Sequence, residues 1–143
     1  MNEMKSNSQM RGRVSLPKKP IAAVYRVQCL RDGRGPWRPG LTDLWRDHDV
    51  AVPPAWMHEF PNLKLQTGWF YGSACLTPHD LALWFTAPEL ARLYDLGYRA
   101  VCLPDCEIVA ESASQVVFRR HVPHLSGARV IDLGVLTSGV KNE

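Results

Sequence analysis

Hydrophobic residues occur in short runs that are separated by glycine, proline and charged residues. The first run, 21–30, is rich in β-branched and other apolar residues and predicts a strand. The next ten residues contain three glycines and two prolines and predict a loop. Comparable apolar runs predict further strands at 68–75, 98–103, 106–110, 115–119 and 129–133.

The first turns of two helices are visible in the sequence. Thr77 stands before a proline, with Asp80 at the third helical position, and Thr86 stands in the same relation to Glu89, as in a capping box. Gly97 is suited to the position just past the second helix. The patterns predict helices over 78–85 and 87–96, a short helix over 41–47, and an ordered loop or short helix over 52–62.

Helices and strands do not alternate regularly, which favours an α+β fold over a doubly wound parallel sheet. The 143 residues, 45% of them hydrophobic, suit one domain with one core. We therefore expect a single α+β domain with a mixed or antiparallel sheet and two or three short helices. The expected organisation is a disordered basic tail at 1–20, the domain at 21–136 and a C-terminal tail at 137–143.

Charge is distributed unevenly along the chain, whose net charge is +3. Five basic residues against one acidic residue give the first 20 positions a charge of +4, so the remainder sums to −1. The tail is either a solubilising leader or a weak, unspecific contact to nucleic acid. No apolar run approaches the ~20 residues of a membrane span, and no apolar segment follows the basic start, so we expect a cytoplasmic protein without membrane contact.

Two of the four cysteines, Cys102 and Cys106, lie close together, and His121 and His124 could complete a zinc site. However, Cys102 lies inside an apolar run, which is typical of a small core residue. We expect no metal, and no disulfide framework in a chain with this apolar content and no export signal.

Arg26 is the most informative single residue, because it lies inside the first predicted strand. A charged side chain in a buried strand is costly unless it is paired or binds a ligand. The structural alternative is an ion pair with Asp32, Glu107 or Asp132.

The segment 24–36 (VYRVQCLRDGRGP) resembles the opening strand of bacterial-toxin-type and phage-type ADP-ribosyltransferases. In that family an aromatic–Arg pair directs a guanidinium at NAD. A later strand with small hydroxyl residues lines the nicotinamide pocket, and GWFYGS at 68–73 resembles it. The resemblance implies an ADP-ribosyltransferase-like fold and a cofactor site formed by Tyr25, Arg26, Tyr71 and Ser73. Local packing is the alternative role of Tyr71 and Ser73.

The third family element is a strand that opens with a catalytic glutamate, and Gln115 stands in its place (SQVVFR, 114–119). An amide can bond a ribose hydroxyl but cannot supply negative charge. The resemblance implies Arg26 and Gln115 as the catalytic positions of an ADP-ribosyltransferase or of a catalytically impaired relative. Gln115 as an edge-strand residue is the structural alternative.

The chain also resembles small proteins carried by phages and prophages, through its Tyr-Arg start, a Trp-Phe-Thr helix junction and a Gln-Val-Val-Phe strand. This resemblance implies an accessory protein that acts on a host protein. A second hypothesis is a non-catalytic inhibitor or adaptor that binds a host defence enzyme or nucleoprotein. Its surface would be basic and rich in Trp and Arg, residue types that dominate binding hot spots. The residues proposed for it are Arg31, Arg34, Trp37 and Arg38.

Overall fold

The structure, a computed structural model, describes residues 20–47 and 55–133. Its strands are β1 (Ile21–Cys29), β2 (Phe70–Ala74), β3 (Tyr98–Glu111), β4 (Val116–Arg120) and β5 (Arg129–Val130). Its helices are α1 (Thr42–Trp45), α2 (Trp56–Glu59), α3 (Pro78–Ala82) and α4 (Ala87–Asp95). Most of the predicted 1–20 tail and all of the 137–143 tail lie outside the described residues.

The five strands form one antiparallel sheet in the order β1-β3-β4-β2, with β5 paired to β3. The sheet curls into a half-barrel, since the end of β2 returns to β1. There Tyr25 and Cys75 exchange two backbone hydrogen bonds of 2.8 and 2.9 Å. The curl places β1 and β2 side by side around a common concave space.

β3 is one continuous strand, whereas the sequence predicted two strands, at 98–103 and 106–110. Cys106 pairs with Ala22 and Leu103 with Val24, so β3 carries one more residue than β1 across this step. The excess is a bulge, with Asp105 at φ 57°, a conformation that Asp tolerates. The two-strand prediction was wrong because Pro104 and Asp105 form a bulge, and β3 stays paired with β1 on both sides of it.

The predicted starts of α3 and α4 are confirmed. The Thr77 side chain accepts a hydrogen bond from Asp80 N at 3.0 Å, and the Thr86–Glu89 capping box is formed in both directions. α3 ends at Ala82 rather than at 85, because the next three backbone N–H groups bond to the third preceding carbonyl and tighten the chain. The last predicted strand is also shorter, since β5 covers only two residues of 129–133.

Two hydrophobic clusters hold the helices to the sheet. One contains the fully buried Trp45 of α1, Leu93 of α4 and Leu133. The other contains Phe118 and Leu103 on the sheet. This is a single α+β domain, with four short helices in the described residues instead of two or three. The additional helix is α2, in a segment whose prolines left loop and helix open. No helix in the described ranges is long and apolar enough to cross a bilayer.

Candidate functional site

A cavity of about 860 Å³ opens on the concave side of the molecule. Its walls come from β1, the loop that follows it, β2, the start of α2, the end of α3 and the residue before β4. Of the five residues that the resemblance named for cofactor binding or catalysis, four line it, namely Arg26, Tyr71, Ser73 and Gln115. Tyr25 is not among the described lining residues.

Arg26 is 9% exposed, and its Nε and Nη1 are buried without a hydrogen-bond partner. Burial lowers the pKa of Arg26 to about 10, so the guanidinium is still charged at neutral pH. Its immediate neighbours are glycines, since a Cβ at Gly72 would lie 3.2 Å from Nη1 and one at Gly35 3.2 Å from Nη2. The Phe118 ring centroid is 5.6 Å from the guanidinium carbon.

The structural ion pair considered for Arg26 is not formed within the described ranges, and that alternative was wrong. Glu107 pairs instead with Arg119, at 2.7 Å. Asp32 accepts the backbone N–H of Arg34 at 2.9 Å, and Asp132 gives no hydrogen bond to the buried Nε or Nη1 of Arg26. A buried, charged and unpartnered group on a cavity wall is the pattern expected of a ligand site.

Further cationic side chains surround the same cavity. Arg34, Arg38 and Arg46 line it, and among the described lining residues Asp32 is the only acid. Arg38 donates a 2.7 Å hydrogen bond to the Tyr98 hydroxyl, which raises the pKa of Arg38. The cavity therefore favours an anionic ligand.

Aromatic rings form the apolar part of the wall. Trp37 stacks on Phe85, with centroids 5.8 Å apart and planes inclined by 28°, and meets Trp45 edge-on at 4.8 Å. Trp56 and Trp84 also line the cavity. Flat rings beside cations suit a ligand that carries both planar groups and phosphates.

His124 belongs to the site but was considered in the sequence only as a zinc ligand. Its Nε2 donates to the carbonyl of Tyr71 at 3.0 Å, which leaves Nδ1 as a buried acceptor without a partner. Burial, with a contribution from Arg26, lowers the pKa of His124 to about 4, so the ring is neutral at pH 7. No local sequence signal predicts this, because the turn after β4 brings His124 to β2.

The Tyr71 hydroxyl makes its contacts outside the cavity and does not take the cofactor-binding role expected of it. Its hydroxyl accepts the backbone N–H of Gln66 at 2.9 Å and lies 3.5 Å from Arg119 Nη1, and neither residue is among the described lining residues. Ser73 is half-buried on the cavity wall. Of the two, Ser73 is the better placed for a ligand.

Gln115 lies directly before β4 and is 3% exposed. Its Nε2 donates a 2.6 Å hydrogen bond to Glu59 Oε1 on α2. It also borders a second cavity of about 300 Å³, with Asp80 and Glu111 on the walls. The sequence did not reveal the Glu59 contact, which joins residues 56 positions apart.

The four residues proposed for a partner surface divide into two pairs. Arg31 and Arg34 are exposed, whereas Trp37 and Arg38 are half-buried. All except Arg31 line the cavity. The loop after β1 is therefore a wall of the cavity as well as an outer surface.

The residues considered for zinc do not converge. Cys102 and Cys106 are buried and not in a disulfide, and burial raises the pKa of Cys106 to about 11. His121 stacks on Trp69, with centroids 3.6 Å apart, while His124 bonds Tyr71. Residues 20–47 and 55–133 contain no group of three side chains that could hold a metal ion.

Comparisons of the chain with family models, with curated proteins and with solved structures each found no match.

Proposed function

We propose that the cavity binds NAD and that the protein is an ADP-ribosyltransferase-like domain. The observation that carries the proposal is Arg26, a charged guanidinium that is buried on the cavity wall with two nitrogens unpartnered. Arginine presents a planar fork of donors that suits phosphate oxygens. The pyrophosphate of NAD would give Arg26 the anionic partner that the described residues do not provide.

Other features of the cavity agree with a dinucleotide. A volume of about 860 Å³ lies in the range of sites that enclose a ligand of this size. Arg34 and Arg38 add positive charge, and Trp37 and Trp84 offer rings for the adenine or nicotinamide. Ser73 and Gln115 supply polar groups for the riboses.

The biological setting that we propose is that of a phage or prophage accessory protein that acts on a host protein. Support for this part comes from the Tyr25-Arg26 start and the strand at 115–118, in the order that the resemblance requires. Transfer of ADP-ribose to the host protein is the proposed reaction class.

Calorimetric titration with NAD tests the proposal. Wild-type protein should bind one equivalent, and Arg26→Ala should lose at least 30-fold in affinity, or about 2 kcal/mol, as expected for a charge-assisted contact to phosphate. Arg31→Ala is the matched control, because Arg31 is an exposed arginine of the loop that follows β1 and lies outside the cavity lining. Equal affinity of Arg26→Ala and wild type would refute the proposal.

The exposed guanidiniums of Arg31 and Arg34 favour a second candidate, a non-catalytic inhibitor that captures a host defence enzyme or nucleoprotein. Exposed charges give salt-sensitive association. The Arg31→Glu/Arg34→Glu double variant should then lose partner capture from host lysate. Capture that survives both charge reversals would exclude this surface.

A further inference from the structure

The contact between Gln115 and Glu59 gives a neutral residue of the cavity a charged partner. Gln115 Nε2 lies 2.6 Å from Glu59 Oε1, a short bond of the charge-assisted kind. An ionised carboxylate only accepts hydrogen bonds, so the amide must turn its NH₂ group to Glu59. Ser114 Oγ, 3.5 Å from both carboxylate oxygens, lies on the same side.

We propose that Glu59 is a positioning residue for cleavage of the nicotinamide–ribose bond of NAD, acting through Gln115. The proposal rests on the proposed function, because it takes NAD as the ligand of the cavity. Glu59 fixes the rotamer of Gln115 and polarises its amide, which places more negative charge on Gln115 Oε1. The carboxylate therefore comes from α2, a different element from the strand where the sequence lacks it.

The reaction needs such an arrangement for a general chemical reason. The bond between ribose C1′ and the nicotinamide nitrogen breaks with both electrons going to nicotinamide, which leaves as a neutral molecule. Positive charge builds on C1′ until an oxygen of water or of an acceptor side chain bonds to it and releases a proton. Negative charge held in place beside that centre stabilises the transition state more than the ground state.

The same geometry predicts that Gln115→Glu alone fails as an activating change. Two carboxylates would then stand at hydrogen-bond distance and share the site only if one of them were protonated. The exchanged pair, Glu59→Gln together with Gln115→Glu, keeps one amide and one carboxylate. It provides a rescue that a loss of folding could not imitate.

Release of nicotinamide from NAD, together with NAD affinity by calorimetry, tests the inference on the full chain. Glu59→Gln should lower kcat about 100-fold and leave the Kd for NAD within about 3-fold, since Glu59 is not among the described lining residues. The exchanged pair should recover at least 10-fold of that loss. Glu111→Gln is the control, because Glu111 is exposed and borders only the second cavity.

The outcomes separate the two proposals. Wild type that binds NAD but releases no nicotinamide, or Glu59→Gln that turns over at the wild-type rate, overturns the role of Glu59 and leaves NAD binding standing. A lower melting temperature of Glu59→Gln with unchanged kcat would show that the contact with Gln115 is structural only, and it too would overturn the positioning role of Glu59. Absence of NAD binding by wild type refutes the proposed function itself.

Discussion

Arg26 is a stability cost to the folded protein. Its charge is 9% exposed, and two of its nitrogens make no hydrogen bond. Arg120 is also buried, at 5% exposed, but donates to the carbonyls of Pro123 and Ser126 at 3.0 and 2.7 Å. The two buried arginines therefore differ: Arg120 donates to the turn after β4, whereas Nε and Nη1 of Arg26 have no partner in the described residues, as the proposed NAD site requires.

Replacement of each arginine by methionine should give opposite results. Arg26→Met removes an unpartnered buried charge and should raise the free energy of unfolding by about 1–2 kcal/mol while NAD binding is lost. Arg120→Met leaves two carbonyls without donors and should lower the free energy of unfolding by about 2 kcal/mol. Urea denaturation of both variants measures this. A large destabilisation by Arg26→Met would mean that Arg26 has a structural partner.

His124 predicts an acid sensitivity of folding. Its pKa is about 4 in the folded protein, against about 6.5 in an unfolded chain, so the unfolded state binds more protons between these values. The free energy of unfolding is therefore unaffected by the titration of His124 above pH 6.5 and decreases as the pH falls from 6.5 towards 4. After allowance for the partial exposure of His124, the total decrease is about 2 kcal/mol.

Urea denaturation at pH 7 and pH 4.5 tests this role of His124. His124→Gln, which keeps a donor for the Tyr71 carbonyl, should lose less stability between the two pH values than wild type does. His121→Gln, at the stacked histidine on Trp69, serves as the control. An identical pH dependence of wild type and His124→Gln would contradict the assignment.

At the scale of elements, the helix starts were predictable and the bulged strand was not. A capping box uses side chains three residues apart, so Thr86 and Glu89 predict the start of α4 from the sequence alone. The bulge near Asp105 depends on which strand pairs with β3 and leaves no local signature. Element order and fold class follow from local patterns, whereas strand length follows from pairing.

The two helix caps should differ in strength. Thr86 Oγ accepts from Glu89 N and also donates to Asp47 Oδ2 at 3.1 Å. Within the part of the chain that the structure describes, Thr77 Oγ has only the bond from Asp80 N. Thr86→Ala should therefore cost about 2 kcal/mol and Thr77→Ala about 1 kcal/mol. Chemical denaturation measures both, and equal costs would show that the link to Asp47 adds nothing.

At the scale of the whole molecule, the curl of the sheet creates the site. It brings Arg26 of β1, Ser73 of β2 and Gln115 before β4 to one cavity. The resemblance to ADP-ribosyltransferases had named these three residues together, while spacing alone could not. The contacts of His124 with Tyr71 and of Glu59 with Gln115 were not predicted, because they join residues 53 and 56 positions apart that only the folded sheet brings together.

The central claim is that the guanidinium of Arg26 is an anion site for NAD. A crystal structure of the protein with NAD tests it most directly. We predict the pyrophosphate in the cavity, with oxygens about 3 Å from the nitrogens of Arg26, and rings of NAD against the tryptophans of the wall. NAD bound elsewhere, or bound in the cavity with Arg26 still unpartnered, would contradict the account.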